Sequence, residues 1–150
     1  MKEWVEALKE YKILLGEPEK EEVKRISYDS RKAEKGDLFL CMRGSKMDSH
    51  DKIPELLEKR IRVFVVEKEL EELPLEGKHT EKLSIVKVEN ARAALARLSA
   101  CYFHYPAKEM LVIGITGTKG KTTTAGMVRS ILEEGGYKTG LIGTTGIEYA

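Results

Sequence analysis

The residues best suited to chemistry lie in the run 110–124, MLVIGITGTKGKTTT, where an apolar stretch leads into a glycine loop ending in Gly120, Lys121 and Thr122. Gly117 and Gly120 allow the backbone to turn with positive φ and to bring its N–H groups close to an anion, which a side chain would obstruct. A helix is expected to follow, and its unpaired N-terminal N–H groups and positive dipole end favour an anion at the same place. The run therefore predicts a phosphate-binding loop.

The polar residues of this loop have separate expected roles. Lys121 is the predicted catalytic residue, because its ammonium would lie near the β- and γ-phosphates of a bound nucleotide, and Thr122 is the expected ligand of the accompanying Mg²⁺. The spacing is GxxGKT and not the longer GxxxxGK[ST], since Ile115 stands where that pattern needs glycine. A glycine-rich turn without a ligand is the alternative interpretation. Nucleotide contacts are predicted for Gly117, Thr118, Lys119, Gly120, Lys121, Thr122 and Thr123.

Composition limits the classes of partner. Lys and Arg number 26 against 25 Asp and Glu, so the net charge of +1 creates no field that would attract nucleic acid or an anionic membrane. No apolar stretch is long enough to span a bilayer, and the amphipathic N-terminus does not resemble a signal peptide. Cys41 and Cys101 show neither CxxC spacing nor a histidine ligand pattern, which favours reduced, buried thiols. We therefore expect a cytoplasmic protein with no nucleic-acid or membrane partner.

Hydrophobic periodicity predicts the elements of the first part of the chain. Trp4, Leu8 and Tyr11 recur at helical spacing and predict a short amphipathic helix. A longer helix is predicted over 91–103, with Asn90 as its N-cap, and a further one carries Ile53, Leu56 and Leu57. Strands are predicted over 23–28, 37–41, 62–67 and 83–88.

The sequence Tyr105-Pro106-Ala107 breaks the long helix and is the expected domain boundary, which gives domains 1–106 and 107–150. In the second domain, 111–115 predicts a strand buried on both faces, and 137–144 predicts a second, parallel strand. Between them lies a predicted helix over 121–134, which Gly135 and Gly136 end and whose inward residues are Met127, Val128, Ile131 and Leu132.

The predicted fold class is α/β. A small mixed α/β N-terminal substrate domain is followed by the first βαβ unit of a parallel-sheet phosphate-loop ATPase domain. Two strands and one helix cannot cover both faces of a parallel sheet, so the chain is expected to be truncated or to be completed by something else.

Two motifs together resemble those of the Mur ligases of peptidoglycan synthesis. ISYDSRKAEKGDLFLCMRGSKMDSH is followed, after the boundary, by GITGTKGKTTT, and the closest resemblance is to the UDP-N-acetylmuramoyl-tripeptide synthetase (MurE-type) branch. The resemblance extends from about Ile26 to Thr144, with one departure at Lys119, where the family loop more commonly has Asn. It implies that 1–106 is the domain for the UDP end of the substrate and that 107–150 begins the central ATP-binding domain.

The resemblance also implies a reaction. The family ligase uses ATP and Mg²⁺ to convert the γ-carboxylate of UDP-N-acetylmuramoyl-L-alanyl-D-glutamate into an acyl phosphate, which the amine of a diamino acid then attacks. Positioning and charge neutralisation are what such a phosphoryl transfer needs most. This chain alone is expected to be inactive. It does not reveal which diamino acid is added, because those determinants belong to the family's C-terminal part.

Two loops carry the implied contacts with the UDP-linked substrate. Tyr28 and Ser30 match the family's uridine-contacting loop, while the residues alone allow 29–31 to be simply a turn capped by a side chain. His50 is expected to brace its loop, since no nucleophile stands near it. His79 and His104 stand in no spacing that would predict a metal site, and they are expected at the surface or at an interface. A second substrate-contacting segment comprises Ser45, Lys46 and Met47.

Two other functions remain open. A sister ligase of the MurF type, or one resembling folylpolyglutamate synthase, shares the loop, although the muramyl-type first domain disfavours the folate branch. A non-catalytic phosphate-loop nucleotide switch belongs to a different class. Such switches usually carry the longer loop at the start of their first domain.

Overall fold

The computed structural model describes residues 4–44, 47–75 and 82–149. The chain forms two compact units, Met1–Glu109 and Met110–Ala150. The division thus follows Glu109, whereas the sequence predicted it after Pro106. Three residues singled out above, Ser45, Lys46 and His79, lie outside the described residues.

The first unit is built on a five-stranded sheet in the order β1-β5-β4-β3-β2. Strands β2 to β5 run parallel to their neighbours, and β1 pairs antiparallel with β5. The predicted mixed α/β class of this first part is therefore confirmed, and the structure shows that its sheet is mostly parallel. The strands are β1 (Lys12–Leu15), β2 (Arg25–Ser27), β3 (Asp37–Leu40), β4 (Val63–Val66) and β5 (Ser84–Lys87), and the α-helices are α1 (Ile53–Glu58) and α2 (Ala91–Tyr102).

Both faces of this sheet are covered. Because successive strand residues point to opposite faces, Leu38 and Leu40 join the cluster that packs under α2, whereas Phe39 joins the cluster around α1. Phe39 also pairs in register with Phe64, and their rings meet edge to face with centroids 6.5 Å apart. The central strands β3, β4 and β5 therefore form as predicted, because each supplies apolar residues to both layers.

The ends of the sheet differ from the sequence-based expectations. The predicted N-terminal helix is only a 3₁₀ turn, Glu6–Leu8, and the strand β1 that follows it was not predicted. Ile13 of β1 pairs with Val86 of β5, so a partner distant in the sequence recruits these residues into the sheet.

The prediction that both cysteine thiols are reduced and buried is right only in part. Both cysteines are free, but Cys41 is buried and Cys101 only half-buried.

The second unit contains a 14-residue helix, α3 (Lys121–Glu134), which has the bounds predicted from the sequence and is capped at its C-terminus by Gly135. A hairpin of β6 (Gly140–Gly143) and β7 (Gly146–Tyr149) follows. The predicted second strand is therefore present, but it pairs antiparallel and not parallel. The physical reason is local: a two-residue turn returns the chain at once beside β6.

The predicted strand over 111–115 is not formed. Leu111 is 85% exposed and Val112 68% exposed, and within the described residues no strand pairs with this run. A β-strand requires a neighbour for its N–H and C=O groups, so apolar β-branched residues alone are insufficient. Met127 and Ile131 of α3, which were predicted to point inward, are also exposed, because no layer of the described residues covers them.

Candidate functional site

The two loops expected to contact the UDP-linked substrate start at the same edge of the sheet. Tyr28 and Ser30 follow β2, and Met47 lies in the connection after β3. Because β2 and β3 are adjacent and parallel, their carboxyl ends lie side by side, which is where ligands of parallel sheets bind. Tyr28 and Met47 are 58% and 64% exposed, so both side chains are accessible from solvent.

Hydrogen bonds to Asp29 build the turn that carries Ser30. Asp29 Oδ1 accepts from the Arg31 N–H at 3.1 Å and from Arg31 Nε at 2.9 Å, while Oδ2 accepts from its Nη2 at 2.8 Å. The Arg31 guanidinium and N–H together lower the pKa of Asp29 to about 2. The side chain of Asp29 therefore caps the turn, as the sequence allowed. Among the described residues nothing hydrogen-bonds the Ser30 hydroxyl, so the turn leaves this group available to a ligand.

A lysine from α1 contacts the same turn. Lys59 Nζ donates to the Ser30 carbonyl oxygen at 2.7 Å, and Glu55 Oε1 lies 3.3 Å from that ammonium. The sequence analysis missed this contact. No sequence pattern marks it, because the partner atom is a backbone oxygen 29 positions away.

The second loop is closed upon itself. Arg43 and Asp48 form an antiparallel bridge, and the Gly44 N–H donates to the Met47 carbonyl at 2.9 Å. The Ser49 hydroxyl accepts from the Met42 N–H at 2.7 Å and donates to the Met42 carbonyl at 2.9 Å. Met47 therefore lies in a short loop whose two ends are joined by hydrogen bonds.

His50 braces this loop, as predicted. The side chain is 1% exposed, its Nε2 accepts from the Glu67 N–H at 3.0 Å, and its Nδ1 lies 2.5 Å from Asp48 Oδ1. Acceptance at Nε2 places the proton of the neutral ring on Nδ1, which donates to the carboxylate. His50 thus ties the loop after β3 to the segment after β4.

Asp48 gathers several donors around its carboxylate. Lys68 Nζ lies 2.9 Å from Oδ2, and the His50 N–H donates to Oδ1 at 3.0 Å. Burial by itself raises the pKa of Asp48, but the hydrogen bonds from His50 and Lys68 outweigh it and hold this pKa below its ordinary value. The Asp48 carboxylate is therefore ionised and links His50 and Lys68 at this edge of the sheet.

The glycine loop of the second unit has the predicted backbone form. Gly117 and Gly120 have φ of +153° and +79°, and Gly120 is the N-cap of α3. Within the described part of the chain, no N–H from 116 to 123 donates to a protein acceptor. The first bond of the helix runs from the Thr124 N–H to the Gly120 carbonyl, so the N–H groups of the first helical residues stay unpaired. These donors and the loop's exposure suit an anion such as a nucleotide phosphate.

Lys121 and Thr122 lie at the start of α3 beside this loop. Lys121 Nζ donates to the Gly117 carbonyl at 2.7 Å, so the ammonium spans the loop. Thr122 lines an open groove of about 270 Å³. The other residues of this groove are Gly126, Arg129, Ser130, Glu133, Leu141, Thr145 and Glu148.

An ionic network that the sequence analysis missed holds α3 to the hairpin. Arg129 Nε pairs with Glu133 Oε1 at 2.7 Å, and Arg129 Nη1 pairs with Glu148 of β7. The Thr139 hydroxyl also donates to Glu133 at 2.6 Å. Hydrogen bonds from Thr139 and Arg129 lower the pKa of Glu133. Only the Arg129 and Glu133 spacing of i, i+4 was visible in the sequence.

Comparison with protein families gives a match over residues 22–103 to the Mur ligase family, catalytic domain. The matched range lies within the first unit and includes the strands β2 to β5 and the helices α1 and α2. In the described residues, no helix has the length and apolar character that crossing a membrane requires.

Curated relatives carry the same family's enzyme names. A UDP-N-acetylmuramoyl-L-alanyl-D-glutamate--2,6-diaminopimelate ligase of Clostridium botulinum is 44% identical over 125 residues, covering 83% of this chain and 25% of the relative. The ligase of the same name from Aquifex aeolicus is 39% identical over 122 residues, which is 81% of this chain and 23% of that protein. The chain therefore spans about a quarter of the length of the curated relatives it matches.

Solved structures show a similar fold. Crystal structure I of MurF from Acinetobacter baumannii aligns with a TM-score of 0.53 and 35% identity, over 75% of this chain and 22% of that one. The MurF ligase of Thermotoga maritima, in complex with ADP, aligns with a TM-score of 0.52 and 25% identity, over 77% of this chain and 24% of that one.

Proposed function

This chain belongs to the Mur ligase family, and we propose that it is the N-terminal part of an ATP-dependent ligase that adds a diamino acid to UDP-N-acetylmuramoyl-L-alanyl-D-glutamate. The names of the curated relatives support this substrate and a diamino acid such as 2,6-diaminopimelate. We place the enzyme in the cytoplasm, where its co-substrate ATP is found. The observation that carries the proposal is the joint presence of the family match over residues 22–103 and of an open glycine loop at a helix N-terminus.

The first unit is proposed to hold the UDP end of the substrate. Tyr28 and Ser30 would contact the uridine, and Met47 would contact the substrate from the neighbouring loop, together with Ser45 and Lys46 beyond the described residues. The adjacent carboxyl ends of β2 and β3 support this assignment, as does the Ser30 hydroxyl, whose hydrogen-bonding capacity the turn leaves unused.

The second unit is proposed to hold the phosphates of ATP. The N–H groups of residues 117–123 would bind the phosphates, Lys121 would neutralise charge, and the Thr122 hydroxyl would be a ligand of Mg²⁺. ATP, when bound, supplies the phosphoryl group that activates the substrate carboxylate. The ADP named in the Thermotoga maritima MurF complex supports a nucleotide in this family.

Titration calorimetry of the chain with UDP-N-acetylmuramoyl-L-alanyl-D-glutamate tests the first assignment. We expect saturable binding that Ser30→Ala weakens, since one hydrogen bond to the ligand is lost. Ser99→Ala, which removes a half-buried hydroxyl from α2, is the matched control and should bind like the parent. Absence of binding by the folded parent would refute the assignment of the first unit.

An activity assay of the complete ligase distinguishes the sister branches. The proposal requires ADP release that depends on the UDP-muramyl dipeptide together with a diamino acid. A MurF-type enzyme would instead require the UDP-muramyl tripeptide and D-alanyl-D-alanine, and a nucleotide switch would release nucleoside diphosphate with neither. Either of these two results would overturn the proposed substrate.

A further inference from the structure

We propose that Lys59 is a positioning residue for the UDP-linked substrate, which it affects only through the backbone of Ser30. This inference rests on the proposed function, because it assumes that the loop after β2 binds the nucleotide end of the substrate. Lys59 makes no assigned contact with ligand. Its effect would come from holding the turn in one conformation before binding, which removes an ordering cost from the binding step.

The geometry of the contact supports a specific role. Lys59 Nζ lies 2.7 Å from the Ser30 carbonyl oxygen, a short distance for a charged donor. Glu55, one helical turn earlier, orients the same ammonium at 3.3 Å, and the lysine side chain is only 35% exposed. The Lys59 ammonium is therefore held by two partners, Glu55 on the helix and the Ser30 carbonyl in the loop.

The lysine complements the hydrogen bonds inside the turn. Asp29 and Arg31 close the turn through their side chains, but they leave the Ser30 carbonyl unoccupied by any donor of the turn itself. Lys59 supplies that donor from α1. With the carbonyl fixed, the peptide plane between Ser30 and Arg31 is fixed, and the position of the Ser30 Cα that carries the hydroxymethyl group is constrained with it.

A purely structural role for Lys59 is the competing explanation. Lys59 is the C-cap residue of α1, and lysines near helix C-termini stabilise exposed carbonyls. In this helix, however, Arg62 Nη1 already donates to the carbonyl of Leu57 at 3.0 Å. The Lys59 ammonium is turned instead toward a different segment of the chain.

A double-mutant cycle on the full chain separates these explanations. Affinity for the UDP-muramyl dipeptide is measured by calorimetry for the parent, Lys59→Met, Ser30→Ala and the double variant. Lys59→Met keeps the aliphatic stem, and we expect about five- to tenfold weaker binding, as for loss of a charged hydrogen bond whose effect is partly buffered by the Asp29 turn. Because Lys59 acts through Ser30, adding Lys59→Met to the Ser30→Ala variant should weaken binding by less than a further twofold.

Three further measurements keep the result interpretable. Lys52→Met is the matched control, since Lys52 pairs with the same Glu55 at 3.7 Å but donates to no loop carbonyl among the described residues. Hydrogen exchange of residues 28–31 should accelerate in Lys59→Met and not in Lys52→Met. Lys59→Arg, which retains a cationic donor, should recover at least half of the lost affinity.

The outcomes are distinct. Binding by Lys59→Met equal to the parent, or losses that simply add in the double variant, would overturn the positioning role while leaving the proposed function intact. Loss of affinity that parallels a general fall in thermal stability, with no selective change in exchange of 28–31, would show a structural role and also overturn it. A parent chain that does not bind the UDP-muramyl dipeptide would remove the proposed function and this inference with it.

Discussion

Lys121 Nζ lies 2.7 Å from the carbonyl oxygen of Gly117, so the lysine at the start of α3 reaches back across the glycine loop that precedes it. The contact joins the first and last parts of the predicted phosphate-binding segment. It holds a positive charge over a loop whose N–H groups make no bond to the described protein, which suits the capture of a polyanion.

Replacement of Lys121 by Ala in the complete ligase should reduce turnover about 100-fold or more, because the residue would stabilise charge on the transferred phosphoryl group. Binding of the UDP-muramyl dipeptide should be unchanged, since that ligand is assigned to the other unit. Steady-state ADP release and calorimetry measure the two effects. Lys138→Ala, an exposed lysine of the same unit, is the control. Near-normal turnover of the Lys121 variant would exclude the assigned role.

Replacement of His50 by Asn should lower the free energy of unfolding by about 2 kcal/mol, because the shorter amide cannot serve both Asp48 and the Glu67 N–H. The partly buried Glu67 N–H would then lack its acceptor. Denaturant titration monitored by the fluorescence of buried Trp4 measures the change. A variant as stable as the parent would show that the brace is dispensable.

Acid should destabilise the chain partly through Asp48. Its pKa is below the ordinary value of 3.8 in the folded state, so the unfolded chain binds the proton more readily. The stabilisation is therefore complete above about pH 5 and is lost as the pH falls through 4 and below. In Asp48→Asn the decrease in unfolding free energy between pH 5 and pH 3 should be smaller than in the parent. Asp51→Asn, at an exposed position, should retain the parent slope, and an unchanged slope in Asp48→Asn would contradict the prediction.

The Cys41 thiol should be unreactive in the folded chain. It is fully buried between the sheet and α1, and burial raises its pKa, which suppresses the reactive thiolate. A Cys101→Ser variant isolates this thiol. We expect no rapid reaction with Ellman's reagent in buffer and complete reaction in guanidinium chloride. Rapid labelling of the native variant would show that the core around Cys41 opens readily.

Local sequence chemistry predicted the two long helices well. Asn90 accepts from the Ala93 N–H at 2.9 Å, as an N-cap should, and α3 begins directly after Gly120 and ends directly before Gly135. The fully buried strands were predictable for the same reason, since runs such as Val63–Val66 supply apolar side chains to both faces of a sheet. The residues of the predicted phosphate-binding loop also lie together because they are consecutive in the chain.

Contacts between distant residues were beyond the reach of these patterns. His50 meets the Glu67 N–H because parallel strands bring successive loops to one edge of the sheet. Lys59 reaches the Ser30 carbonyl from the end of α1, which packs against a face of the same sheet. One partner in each pair is a backbone group, the Ser30 carbonyl as acceptor and the Glu67 N–H as donor. Backbone groups leave no mark in the side-chain sequence, so no motif could have identified either pair.

The sequence by itself determined the helices α2 and α3, the strands β3, β4 and β5 and the order of glycines, lysine and threonine at the start of α3, because caps, periodicity and turn residues act over a few positions. Tertiary structure alone decided that 12–15 joins the sheet as β1 and that 111–115 remains outside one. The physical reason is that a strand exists only where another strand accepts its hydrogen bonds, and that partner can be far away in the chain or absent from its described part.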